Sequence, residues 1–158
     1  MDKEKIKLDR MRYVTDKVPS GLALAAVALD VLYFVLIYKI NNDYFYNFTM
    51  GVSIVTNLLI MLFGFWASIE VKNYHGRFGI FMIVLGIVQL IRITFYPLKA
   101  HSALVLSGDQ MLPVMDNATF LKAVVYLAAS AACFIVGGLV SIRNSKTLQN
   151  YLDSLQKK

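Results

Sequence analysis

Four polar residues stand inside long apolar runs: Asp30 within Gly21–Tyr38, Asn57 within Phe48–Ile69, and Gln89 and Arg92 within Phe78–Tyr96. A charge at the centre of a bilayer costs at least roughly 2.5–3.5 kcal/mol on insertion scales, so such residues need a partner or a task. Arg92 lies four residues before Tyr96, about 6 Å from the end of its helix. Helical side chains lean towards their N-terminus, so Arg92 can reach the depth of Asp30 as readily as it can snorkel to lipid phosphate. The expected constellation is an Asp30–Arg92 pair completed by the amides of Asn57 and Gln89, drawn from three helices.

Two chemistries fit that constellation. In the structural one, the pair and its amides satisfy one another and fix the order and register of similar helices; buried ion pairs add little net stability but can enforce one arrangement. In the other, Asp30 is a protonatable or cation-coordinating carboxylate on a transport path, with Arg92 as its counter-charge or as an anion site. The structural reading is the stronger expectation, because one carboxylate and two amides make no ion site of recognisable ligand number.

Elsewhere the chemistry is sparser. The turn Glu70–Gly79 sets His75 beside Arg77, a pair suited to an anionic headgroup or a phosphate, although such a Gly–Arg turn is ordinarily plain turn chemistry. His101 shares the Pro97–Thr119 loop with Asp109 and Asp116, at spacings that do not converge on a metal. One cysteine, Cys133, and two histidines exclude a disulfide framework, a CxxC pair and a bis-histidine haem ladder. No nucleophile, base and orienting group converge, so a non-enzymatic protein without cofactor or metal is expected. Asn47-Phe-Thr49 and Asn117-Ala-Thr119 match the glycosylation triplet, a pattern common by chance.

The elements that must position these residues are membrane spans. The 158 residues are 58% apolar and 16% charged, against roughly 45–50% and about 25% in soluble domains. The three runs above and a fourth, Phe120–Ile142, are each long enough for a hydrocarbon core of about 30 Å. Hydrocarbon admits only helices and closed barrels, and runs without strict alternation are helices. The predicted fold class is an all-α integral membrane protein: a four-transmembrane-helix bundle with a short N-terminal interfacial amphipathic helix and a cytoplasmic C-terminal helical extension. It forms a single polytopic domain, with the interfacial segment at 1–19, the bundle at 20–142 and the tail at 143–158.

Orientation follows from Lys and Arg. Twelve lie in the two tails and the Glu70–Arg77 loop, and three, Lys39, Lys99 and Lys122, lie on the other side, so both termini are expected in the cytoplasm of a plasma-membrane protein. Before Pro19, Leu8, Met11, Val14 and Val18 recur at helical spacing among basic residues, which reads as an interfacial helix ended by Pro19, with Ser20 capping the first span. A solvated positive anchor is the plainer alternative. Leu148, Tyr151, Leu152 and Leu155 make a second stripe on the C-terminal tail. The expected partners are membrane lipids, anionic lipid on the cytoplasmic face included, and nucleic acid is not among them.

Without a hydrophobic drive between helices, small residues must supply close approach. Ala129, Cys133, Gly137 and Ser141 recur every four residues in the fourth span, and Gly79 and Gly86 punctuate the third. These stripes are expected to hold the bundle together and, in part, to join copies of the chain or a partner helix. An oligomeric or accessory membrane subunit is the function read from this pattern, and a small ion- or proton-coupled transporter or channel is the alternative. The first-span carboxylate is similar in place to that of small dimeric four-span multidrug exporters, an analogy of architecture alone, since it is Asp rather than Glu and the tails and outer loop are longer.

Overall fold

A computed structural model describes residues 3–39, 48–107 and 110–156. Along the chain come α1 (Lys3–Met11), α2 (Lys17–Tyr38), α3 (Phe48–Val71), α4 (Gly76–Phe95), α5 (Pro97–Ser102), the strands β1 (Leu104–Ser107) and β2 (Gln110–Pro113), and α6 (Asn117–Gln156). Helices α2, α3, α4 and α6 are each long and apolar enough to cross a membrane. At 40 residues, α6 continues unbroken well past its apolar run and measures about 60 Å. Asn47, Asp109 and the tip of each tail lie outside the described residues.

The N-terminal segment departs from the expected single amphipathic helix. α1 stops at Met11, and α2 starts at Lys17, so Pro19 opens a helix rather than closing one. In the first turn the N–H that proline lacks would have had no intrahelical partner, which makes the position tolerant. Ser20 does not cap; its hydroxyl shares a hydrogen bond with Ser68 Oγ on α3 at 3.1 Å. Asp16 takes the N-cap position without capping through its side chain. Its carboxylate instead accepts from Asn144 Nδ2 of α6 at 2.7 Å, and its N–H donates to the Lys72 carbonyl at 3.0 Å. The break between α1 and α2 is thereby tied to the α3–α4 turn and to α6.

At the opposite end the described residues of the long loop take up regular structure. Pro97 has no N–H to continue the α4 ladder, and the chain restarts as α5 and then pairs β1 with β2, Leu104 opposite Pro113. This small hairpin is the exception to the all-helical pattern among the described residues. Val114 and Met115, just after it, are buried against Tyr33, Ile37 and Tyr96. His101 stacks on Phe120 with ring centroids 4.6 Å apart, and its Nδ1 lies 3.1 Å from the Met115 carbonyl.

Close backbone approach holds α4 against α6. A Cβ at Gly138 would stand 2.5 Å from the Gly79 carbonyl oxygen, and one at Gly86 would stand 3.0 Å from the Ala131 carbonyl oxygen. As the α4 number rises from 79 to 86 the α6 partner falls from 138 to 131, so the two helices run antiparallel. Gly137, from the expected stripe, meets Leu22 and Met82 inside the same bundle, and Ser141 is buried, while Ala129 and Cys133 are half-buried. α2 packs between α3 and α6. One apolar cluster around Val27, Met82 and Phe134 fills the half of the bundle near the termini, and another around Tyr33, Ile37 and Leu127 fills the other half.

Candidate functional site

Between those two apolar layers lies a polar one. Asp30 on α2, Asn57 on α3 and Gln89 on α4 are wholly buried, and Arg92, one turn beyond Gln89, is 6% exposed. The structure brings these four residues together. Arg92 Nη1 donates to Gln89 Oε1 at 2.6 Å, and Nη2 donates to Asn57 Oδ1 at 2.7 Å. Gln89 Nε2 donates in turn to Asp30 Oδ1 and, at 3.0 Å, to Ser130 Oγ on α6. The charges themselves stand 3.8 Å apart, Arg92 Nη1 to Asp30 Oδ1. Gln89 is thus the bridge through which carboxylate and guanidinium are joined by hydrogen bonds.

Two members were not anticipated. Ser130 donates to the Ala26 carbonyl at 3.1 Å, which ties α6 to α2 beside Asp30. In the sequence it is a small residue beside Ala129, outside the stripe read there. Tyr33 sets its ring under Arg92, with Cζ 5.1 Å from the centroid, a cation–π contact that strengthens away from water. An aromatic late in a span reads as a membrane-interface residue, which concealed this role. Asn57 Nδ2 also reaches the Asp30 carbonyl at 3.4 Å, so the second, third and fourth long elements are all fastened at the level of one residue. Asp30 Oδ2 is buried without a hydrogen-bond partner among the described residues.

The arrangement can do two things chemically. It holds opposite charges together in low dielectric, where each is costly alone. It also leaves one carboxylate oxygen able to bind a proton. No group of three or more His, Cys, Asp or Glu side chains poised for a metal occurs among the described residues.

The turn residues form no comparable site. His75 Nδ1 lies 2.8 Å from Glu70 Oε2, and both His75 and Arg77 are exposed. In the same turn, the left-handed Tyr74 (φ 58°) offers its carbonyl to Ser145 Oγ at 2.7 Å. Burial, with the Asp16 carboxylate nearby, raises the Tyr74 phenol above its ordinary range. Asp116, just before α6, is lowered by hydrogen bonds from the Thr119 hydroxyl and from the Thr119 and Ala118 N–H groups. In comparisons with protein-family models, curated proteins and solved structures, nothing matches this chain.

Proposed function

We propose that the protein is a non-enzymatic multi-pass protein of the plasma membrane, with both termini cytoplasmic, that acts as an oligomeric or accessory subunit of a membrane complex. The observation that carries this reading is the closure of the polar layer: Asp30 is 0% and Arg92 6% exposed, and the amides between them are engaged on both sides. A carboxylate that serves transport has to meet water on at least one side. Here it serves as an internal fastening, and the outer surface is left for association.

That surface lies on the C-terminal part of α6. The glycines of α4 and α6 are engaged within the bundle, so the tail stripe is the stronger candidate for contact between chains. Leu148 and Tyr151 are half-buried, while Leu152 is 36% and Leu155 43% exposed. Their three- and four-residue spacing makes one apolar seam of the kind that helices use to pair. By sequence, the two tails and the Glu70–Arg77 turn carry twelve basic residues and six acidic ones, so the whole net charge of +6 belongs to them, suited to anionic lipid.

A small ion- or proton-coupled transporter or channel is the second reading, favoured by one observation, the unpartnered Asp30 Oδ2. The assembly is tested by Leu152→Lys combined with Leu155→Lys. The double variant should run as a smaller species in mild detergent while the bundle keeps its melting temperature. A wild-type chain that is monomeric at all concentrations and co-purifies with nothing would contradict the subunit reading.

A further inference from the structure

Helices α3 and α4 are joined unevenly. Near the termini, Trp66 packs edge-on against Phe78 at 5.3 Å and Phe63 against Phe81 at 5.9 Å. Towards the other end a lateral crevice of ≈ 250 Å³ opens between the same two helices, walled by Val52, Ser53 and Thr56 of α3 and by Val88, Arg92 and Tyr96. Its lining is apolar almost throughout. Beside the hydroxyl-bearing Ser53, Thr56 and Tyr96, Arg92 is its one charged donor among the described residues.

The chemistry of that donor narrows the occupant. Gln89 and Asn57 accept from Nη1 and Nη2, two of the five N–H donors of a guanidinium. Asp30, 3.8 Å away, already balances its charge. A second anion would leave net negative charge at depth, which the bilayer disfavours, whereas an uncharged carbonyl accepts a hydrogen bond at no such cost. Arg92 also lies about 6 Å from the end of its apolar helix, near the border where lipid ester groups meet hydrocarbon. A dry cavity of roughly 150 Å³ takes a benzene ring, so this crevice suits about ten carbons of a single chain.

We propose that the α3–α4 crevice holds one acyl chain of a glycerolipid, whose ester carbonyl accepts a hydrogen bond from the Arg92 guanidinium. This rests on the chain spanning a membrane and not on its being a subunit. The test places the protein in phosphatidylglycerol and phosphatidylethanolamine vesicles with a trace of diacyl phospholipid bearing a diazirine on one chain. A parallel sample carries a diazirine fatty acid, and cross-links are mapped by mass spectrometry.

Phospholipid cross-links at Val52, Thr56 and Val88 should exceed those at the exposed Leu58, Leu62 and Leu139 by roughly tenfold. Val52→Trp and Thr56→Phe, which fill the slot from its mouth, should each bring the crevice down to the level of those reference positions. Equal labelling all round the bundle would overturn the proposal and leave the membrane-spanning reading intact. Labelling of the crevice by the fatty acid and not by the phospholipid would overturn it too, since the occupant would then be a free acid. If neither probe labelled any of the four long helices, the membrane-spanning reading itself would fail.

Discussion

Arg92 and Asp30 illustrate how a buried charge is made tolerable one hydrogen bond at a time. Their direct separation of 3.8 Å is longer than a hydrogen bond, and Gln89 closes the gap by accepting from one and donating to the other. Asp30→Asn and Arg92→Gln should therefore each destabilise by about 3–5 kcal/mol, because each leaves a charge unpaired. The double variant should recover much of that loss; simple addition of the two effects in thermal unfolding would show that the residues are not coupled. Gln89→Leu should be harmful too although it removes no charge, since it takes away the hydrogen bond that each charged group makes with the amide. These residues were readable in the sequence because a charge or an amide in an apolar run stands out. Ser130 and Tyr33 were not, because serine and tyrosine are ordinary in spans and only their placement beside Asp30 and Arg92 makes them members of the cluster.

At the level of elements, the backbone contact of α4 with α6 sets the bundle's spacing. Gly138→Leu would drive a side chain into the Gly79 carbonyl, so the protomer itself should lose stability, by roughly 1–3 kcal/mol or more as in other overpacked sites. Gly137→Leu, aimed at Met82 and Leu22, should do likewise. An unchanged melting temperature in both would place those glycines at an interface instead. The α6 start carries a pH dependence. Asp116 is lowered in the folded chain by the bonds it accepts, so its contribution is present above the unfolded pKa and is lost as pH falls through the folded one. Amide protection at Ala118 and Thr119, corrected for intrinsic exchange, should fall on acidification, and Asp116→Asn should make it independent of pH. The four long apolar helices followed from run length alone. The direction of the glycine faces did not, because period-four small residues look alike whether they face a neighbour in the bundle or another chain. The break at residues 12–16 was hidden for a different reason: it depends on Asp16 bonding to Asn144 and Lys72, which are remote in sequence.

For the whole molecule, two apolar layers sandwich one polar layer, and the excess positive charge lies beyond one of them. With Cys133→Ser as background, single cysteines at Lys5, Asn73 and Lys146 should be shielded from an impermeant thiol reagent in intact cells, whereas one at Ser107 should react. Labelling at Asn73 from outside would invert the topology. The central claim is that the polar layer is a sealed fastening and not part of a water path. It is tested most directly by Ser130→Cys in the same background, a near-isosteric change at a wholly buried position that contacts Gln89 beside Asp30. In native membranes this thiol should resist small charged methanethiosulfonates added to either side, and react only after unfolding. Rapid modification from one side of the folded protein would contradict the account, because water would then reach the layer that holds Asp30 and Arg92.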